Sequence, residues 1–195
     1  MSRLLGLLVL LAALVPFTAQ AAGSYTANST PAAGKQPDLI SFGLGYMDFD
    51  KSETHKQSVD FRGEYRWGLS MLPLISPYFN SWDQYVQFHP YAGVEVTTLG
   101  AGLASGGWAM DAYLGRHVVF TWSEGVGLYE AGNMVTLGSF IEFRSQAELG
   151  WRFNDESRIT GEISHISNAG IGKRNPGAEI VGVYYHVPVA SLFGR

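Results

Sequence analysis

A strict alternation of charged and apolar side chains constrains the fold of this chain more than any other feature. Between Val59 and Trp67 the odd-numbered positions are apolar, aromatic or Gly, and the even-numbered positions are Asp60, Arg62, Glu64 and Arg66. A second stretch, 141–152, sets Ile141, Phe143, Ala147, Leu149 and Trp151 against Glu142, Arg144, Gln146, Glu148 and Arg152. Because successive side chains of a β-strand point to opposite faces, this period predicts long strands with one apolar and one charged face.

Eight runs of this kind follow one another along the chain, with turn residues between them. Their approximate ranges are 38–49, 56–67, 86–98, 107–115, 118–129, 138–152, 157–168 and 178–188. No helical period of matching length accompanies them, and long, numerous strands without helices are typical of an antiparallel barrel. We interpret the Gly-rich stretch 100–107 as a hairpin loop, since no helix follows it as a nucleotide-binding loop would require.

The alternation alone does not say which face of the barrel is inside. A soluble lipocalin-like barrel would turn the apolar row inward, whereas an outer-membrane barrel turns it toward lipid. Aromatic side chains such as Phe61, Tyr65 and Trp67 would overfill the interior of an eight-stranded barrel. The charged rows alternate in sign and can pair in a lumen. We therefore predict an all-β fold, an eight-stranded antiparallel transmembrane β-barrel of the outer membrane.

Composition agrees with a lipid-facing exterior and excludes several functions. Charged residues make up 15% of the chain, where about 25% is usual. The net charge of −4, without a basic run, leaves no face to neutralise phosphates, so we expect no nucleic-acid partner. The absence of Cys from the sequence excludes a disulfide scaffold, a thiolate metal site and a Cys nucleophile. The His residues lack metal-ligand spacing, so we expect neither metal nor cofactor.

The first residues predict export. Arg3 precedes an apolar run, 4–15, that is too short to span a bilayer as a helix, and Ala19-Gln20-Ala21 matches a cleavage site. We expect residues 1–21 to be a signal peptide that is removed and residues 22–37 to be a flexible N-terminal lead. Residues 38–195 then form the barrel, an integral protein of a Gram-negative-type outer membrane.

An even number of strands fixes the expected orientation. Both chain ends lie on the periplasmic side in barrels of this type. The segments 115–117 and 154–156 are then short periplasmic turns. Trp67, Trp151 and Tyr185 fall near the same end, where an aromatic girdle is expected. The longer segment 68–84 does not fit a short turn, and its role stays open.

The last two strands break the apolar rule at three positions. In the seventh strand, His165 and Ser167 continue the row that is set by Ile163. In the eighth strand, Glu179 begins the row that continues with Val181. All three polar residues should therefore face lipid near an extracellular loop, 168–177. Ionisable groups that face lipid are costly, and a cluster of them is by default a functional site.

These three residue types have the chemistry of a serine esterase. Ser167 is the candidate nucleophile, His165 the general base, and Glu179 the group that orients the imidazole. The Asn168 side chain and the backbone amides of Ala169 and Gly170 are candidate oxyanion donors. Ser164 is a rival nucleophile, but its parity points it into the lumen.

The segments His165-Ile166-Ser167-Asn168-Ala169-Gly170 and Asn175-Pro176-Gly177-Ala178-Glu179 resemble the signature of the lipid A 3-O-deacylase (PagL) family. Weaker matches are Gly127-Leu128-Tyr129, Leu137-Gly138-Ser139, Glu142-Phe143-Arg144 and Tyr184-Tyr185. The resemblance implies an eight-stranded outer-membrane barrel that hydrolyses the ester at the 3-position of lipid A without a metal. It implies that Ser167, His165 and Glu179 are the catalytic triad and that Asn168 is an oxyanion group. Asn175 matches a recurrent Asn of the family's final loop and joins Asn168 and Gly170 in the predicted oxyanion set.

The leading hypothesis is thus an outer-membrane serine esterase with lipid A, the anchor of lipopolysaccharide, as its substrate and outer-membrane lipids as its surroundings. Two alternatives stay open. One is an outer-membrane phospholipase, which is also a lipid-facing serine hydrolase. The other is a non-catalytic small barrel with a structural or adhesive role. The sequence also leaves a homodimer open.

Overall fold

The computed structural model describes residues 36–50, 56–71, 82 and 85–193. Eight antiparallel strands form a closed barrel in which each strand pairs with its neighbours in the sequence and the last pairs with the first. The strands are β1 (Leu39–Met47), β2 (Ser58–Arg66), β3 (Val86–Thr97), β4 (Gly102–Leu114), β5 (Val118–Glu130), β6 (Ile141–Arg152), β7 (Arg158–Ser167) and β8 (Ala178–Pro188), followed by the short helix α1 (Val189–Leu192). The predicted fold is confirmed. The predicted signal peptide and most of the predicted N-terminal lead lie outside the described residues, as does most of the segment 68–84.

The interpretation of 100–107 as a loop is wrong, because β4 already begins at Gly102. The connection from β3 to β4 is a tight turn in which Gly100 has a φ of 84°. Gly107 of this strand has no room for a side chain, because an added Cβ would lie 2.0 Å from the Glu124 carbonyl oxygen and 2.6 Å from Gly125 Cα. A Cβ added to Gly125, which pairs with Gly107, would lie 2.0 Å from the Tyr91 hydroxyl oxygen. Gly in a strand marks such close approaches.

We define two ends of the barrel by what lies there. The terminal end carries the start of β1, the end of β8 and the connections 115–117 and 153–157. The distal end carries the connections 48–57, 98–101, 131–140 and 168–177. The predicted turns at 115–117 and 154–156 are confirmed as turns. Within the described residues, no helix has the length and apolar character needed to cross a membrane.

The lumen contains the charged rows. Arg62 contacts Asp60, Glu95 and Glu162 at 2.5, 3.3 and 3.1 Å. Arg66 contacts Glu64, Asp111 and Glu148 at 2.8, 3.3 and 3.1 Å. Arg144 joins the two groups through Glu64 and Glu95. The side chains in these ion pairs are at most 5% exposed. Breaking a buried pair leaves an uncompensated charge, so such networks specify the strand register strongly.

The distal end of the lumen contains an apolar cluster beside the buried carboxylates of Asp48 and Glu142. A cluster of buried side chains closes it, formed by Met47, Ala101, Leu103, Tyr129, Met134, Leu137, Ile166, Ala178 and Ile180. Met134 and Leu137 come from the connection between β5 and β6, which folds inward over the barrel mouth. We call this group the distal plug. It packs directly behind the outer surface of β7 and β8, because Ile166, Ala178 and Ile180 belong to those strands.

Candidate active site

The outer surface of β7 and β8 carries the three polar residues singled out by the sequence. Burial alternates along β7: Ser164 and Ile166 are buried, whereas Ile163 and His165 are exposed. Glu179 shares the outward parity of Val181 in β8. The structure thus places His165, Ser167 and Glu179 on the outside of the barrel beside the distal connection 168–177. Ser164 points into the lumen, where its hydroxyl accepts a hydrogen bond from Arg62 at 3.0 Å.

His165 and Glu179 form a direct cross-strand pair. The two residues are opposite each other in the β7–β8 register. Their side chains meet at 3.0 Å between Nδ1 and Oε1. Since an ionised carboxylate only accepts hydrogen bonds, Nδ1–H donates and Nε2 is left as the basic nitrogen. The His165 side chain is 49% exposed and that of Glu179 is 23% exposed, so the imidazole is open to the membrane side.

The imidazole of His165 rests on Gly177. This glycine has a φ of 68°, in the left-handed region that L side chains rarely adopt. A Cβ added there would lie 2.7 Å from His165 Cε1. Gly177 is therefore required twice, once by the turn that leads into β8 and once by the ring that occupies its side-chain space.

Ser167 lies two residues beyond His165 on the same outward row. It pairs with Phe143 of β6 and is half-buried. Residues i and i+2 of a strand are separated by about 6.6 Å between Cα atoms. Within the part of the chain that the structure describes, the Ser167 hydroxyl has no hydrogen bond to His165. Two of the three predicted triad residues are thus in contact, and the third lies beside them without contact.

Asn168 organises the loop 168–177. It is fully buried, and its Nδ2 donates to the carbonyl oxygens of Leu137 and Arg174 at 2.8 and 2.7 Å. Its Oδ1 accepts from the backbone amides of Gly170 and Gly172 at 2.9 and 3.4 Å. These four bonds tie the loop to itself and to the β5–β6 connection. In this structure the side-chain donors of Asn168 and the amide of Gly170 are therefore already occupied.

Asn175 closes the same loop from its other end. Its Oδ1 accepts a hydrogen bond from the backbone amide of Asn168 at 3.0 Å. Its side-chain nitrogen has no partner among the described residues, and the residue is exposed. Of the predicted oxyanion set, Asn175 is thus the member with a free donor.

Sequence reasoning missed a further polar pair on the outer surface. Glu124 of β5 faces outward, and its Oε2 accepts a hydrogen bond from Ser145 Oγ of β6 at 2.7 Å. Glu124 Oε1 accepts a hydrogen bond from Trp122 Nε1 at 3.0 Å. Ser145 is directly opposite His165 in the β6–β7 register. The signal was present in the sequence, because Ser145 interrupts the otherwise apolar outward row of β6.

A shallow apolar depression of about 200 Å³ lies on the outer surface, with its nearest β8 residue four positions from Glu179. It spans β1, β7 and β8 and is lined by Phe42, Gly43, Leu44, Ile159, Val183, Tyr184 and Tyr185. It lies toward the terminal end from Glu179, along the outward row of β8. Among the described residues, no group of three or more His, Asp or Glu side chains could hold a metal ion.

Charged side chains inside and apolar side chains outside are the arrangement of an integral outer-membrane β-barrel. A family model described as lipid A 3-O-deacylase (PagL) matches residues 58–188. The chain therefore belongs to the lipid A 3-O-deacylase family, whose members are outer-membrane hydrolases acting on lipid A.

Solved structures agree with this fold. The crystal structure of the outer membrane enzyme PagL is similar, with a TM-score of 0.58 and 17% sequence identity over 77% of this chain and 99% of that one. The crystal structure of Neisserial surface protein A is also similar, with a TM-score of 0.51 and 8% identity over 80% of this chain and 99% of that one. A search of curated protein sequences finds no match to this chain.

Proposed function

We propose that this protein hydrolyses the 3-O-linked acyl ester of lipid A at the outer surface of its barrel, with Ser167, His165 and Glu179 as the catalytic triad. The observation that carries the proposal is the hydrogen-bonded His165–Glu179 pair on a lipid-facing surface. An ionisable pair that faces lipid costs stability, so its presence there indicates a function such as chemistry on a lipid substrate. Family membership identifies the substrate class.

The contacts support a role for each group. Glu179 accepts the Nδ1 hydrogen and stabilises the imidazolium that forms during the reaction. Nε2 of His165 takes the proton of the Ser167 hydroxyl as its oxygen attacks the ester carbonyl carbon. The same nitrogen then protonates the sugar oxygen as the ester bond breaks. Water hydrolyses the acyl-enzyme in a second half-reaction that uses the same base. A rotation of the Ser167 and His165 side chains on their shared row brings the two groups into contact.

The oxyanion needs hydrogen-bond donors beside Ser167, and we assign Asn168, Gly170 and Asn175 to this role. Asn175 has the free donor. Asn168 and Gly170 contribute once substrate replaces one of their present partners. Before that exchange, their bonds hold the loop next to the nucleophile.

The setting follows from the orientation of the barrel. We infer that the signal peptide directs export, that the terminal end faces the periplasm and that the distal end faces outward. The triad then lies at the depth of the outer leaflet, near enough to the surface for water to reach the acyl-enzyme. The apolar depression on β1, β7 and β8 provides a surface along which an acyl chain of the substrate packs.

The test is the mass spectrum of lipid A from Gram-negative cells that lack a deacylase and express this chain. We expect the loss of the single acyl chain at the 3-position. Ser167→Ala should lower the rate by at least about a thousandfold, because triad residues act as a unit. The matched control is Ser164→Ala, which alters a neighbouring Ser in the lumen and should leave the activity in place.

Other outcomes identify other functions. Loss of an acyl chain from glycerophospholipids, with lipid A intact, would make the protein a phospholipase and contradict the assignment. Intact lipids with the wild-type chain would favour a structural barrel. Activity that survives His165→Asn would exclude the proposed general base.

A further inference from the structure

The polar surface of the site extends well beyond the triad. Glu124, Ser145, His165 and Glu179 lie on four consecutive strands, and each is directly opposite the next in the register. All four face outward. Neighbouring strands are about 4.8 Å apart, so the row runs for roughly 14 Å across the barrel. No step of the proposed reaction uses its β5–β6 half.

Glu124 is the most unusual member of this row. It lies at the midpoint of β5, between the outward-facing Trp122 and Val126, where the barrel surface meets lipid acyl chains. Both carboxylate oxygens are held by neutral donors, Trp122 Nε1 and Ser145 Oγ. In the described strands the outward rows contain no Lys or Arg, so no cation faces this carboxylate.

Held by Trp122 and Ser145, the Glu124 carboxylate is a hydrogen-bond acceptor in a defined position. An ionised Glu offers about four lone-pair sites and donates nothing, so the two observed bonds leave acceptor capacity. A ligand that binds the Glu124 carboxylate must then be an uncharged hydrogen-bond donor that can lie among the acyl chains of the membrane. A lipid hydroxyl has these properties, whereas an unmodified hydrocarbon chain has no donor.

The position matches a hydroxyl on the chain that is being cleaved. Ser145 is offset from Ser167 by one strand and two residues, a separation of roughly 8 Å between Cα atoms. The carboxylate of Glu124 reaches over β6 to the Ser145 hydroxyl, which shortens the remaining gap to Ser167. An ester bound at Ser167 and a hydroxyl two carbons along its acyl chain bridge that gap.

We propose that Glu124 and Ser145 form a specificity subsite for a hydroxyl group on the acyl chain of the substrate. The proposal rests on the proposed deacylase function and adds to it the selection of hydroxylated over plain acyl chains. Glu124 is the acceptor, Ser145 holds its carboxylate toward the active site, and Trp122 fixes the second oxygen. Ordinary glycerophospholipid chains lack the hydroxyl and gain nothing from this subsite.

The test uses two matched lipids in detergent micelles. One is a diacylglucosamine phosphate whose ester-linked chain is 3-hydroxymyristoyl, and the other carries a myristoyl chain in its place. Turnover is measured for the wild-type chain and for Glu124→Leu, a substitution that suits a lipid-facing position. Glu124→Gln, which keeps one acceptor oxygen, serves as a second variant. The matched control is Glu130→Gln, which removes a carboxylate from the same face of the same strand, outside the row.

We expect the wild-type chain to prefer the hydroxylated lipid by on the order of tenfold, as one hydrogen bond to a charged group provides. Glu124→Leu should abolish this preference by slowing only the hydroxylated lipid, and Glu130→Gln should retain it. Equal slowing of both lipids in Glu124→Leu would show that Glu124 supports the fold, and would overturn the proposal. Equal turnover of the two lipids by the wild-type chain would also overturn the proposal.

Binding separates this proposal from the proposed function. Native mass spectrometry of the Ser167→Ala variant with each lipid measures affinity without turnover. Preferential binding of the hydroxylated lipid that is lost in the Glu124→Leu double variant supports the subsite, even if the wild-type chain cleaves neither lipid. Cleavage without any difference in binding or turnover between the lipids supports the esterase and contradicts the subsite.

Discussion

The outer surface of the barrel has two dissimilar halves. The outward rows of β1–β4 contain only apolar and aromatic residues, Gly and Pro, with tyrosine hydroxyls and the Trp108 indole N–H as their polar side-chain groups. The outward rows of β5–β8 contain six polar residues, Glu124, Glu130, Ser145, His165, Ser167 and Glu179. Inside the barrel, both halves contribute charged side chains to the ion pairs of the lumen. The outer surfaces of the halves therefore differ in polarity, and all the polar residues proposed to act on the substrate lie on β5–β8.

Among the changes that test the difference between the two halves, removing the charge of Glu179 should lower the deacylation rate most. Glu179→Gln keeps the shape of the side chain but no longer stabilises the imidazolium or fixes the His165 tautomer. The rate of lipid A deacylation should fall by about a hundredfold to ten-thousandfold. Lipid A mass spectrometry over a time course measures it. An unchanged rate would mean that the cross-strand pair is structural.

The contact between Gly177 and His165 predicts a smaller effect. Gly177→Ala strains the left-handed backbone and pushes the ring away from Glu179, so we expect a loss of roughly tenfold in kcat. The matched control is Gly115→Ala in a turn at the terminal end. Gly115 also has a positive φ, 75°, but a Cβ there meets nothing within 4 Å. Both variants should lose about 1 kcal/mol of stability, whereas only the first should lose activity. Equal activities of the Gly177→Ala and Gly115→Ala variants would show that Gly177 does not position His165.

The apolar depression predicts the smallest effect, and it lies where the two halves join. Val183→Trp fills part of it and should raise KM for lipid A a few-fold while kcat stays nearly constant, because packing of the acyl chain contributes to binding. Val94→Trp makes the same change on the outward face of β3 and should leave KM unaltered. A rise in KM for both variants would mean that the substrate uses the barrel surface without preference.

Much of this architecture was predictable from the sequence, for a physical reason. Period-two alternation fixes which residues share a face, and the bulk of the aromatic side chains assigns that face to lipid. The outward positions of His165, Ser167 and Glu179 follow from these two observations. The early start of β4 was not predictable, because the close approach that Gly107 permits is to the backbone of Glu124 and Gly125 on a different strand. The local sequence of β4 carries no sign of this neighbouring backbone.

The detailed contacts of the site needed the structure for a similar reason. Register between strands decides that Glu179 meets His165 and that Ser145 stands opposite the same residue. A residue pattern does not specify register across three connections of different length. The loop geometry around Asn168 was also beyond the sequence, since its buried amide binds Leu137, 31 positions away.

The filled lumen has a consequence for the membrane as a barrier. Among the described residues, ion pairs occupy the middle of the barrel and the distal plug lies across its mouth, so side chains fill the lumen as they can in an eight-stranded barrel. Such a lumen offers ions and small solutes no wide aqueous channel of the kind that larger barrels of about 16–18 strands leave.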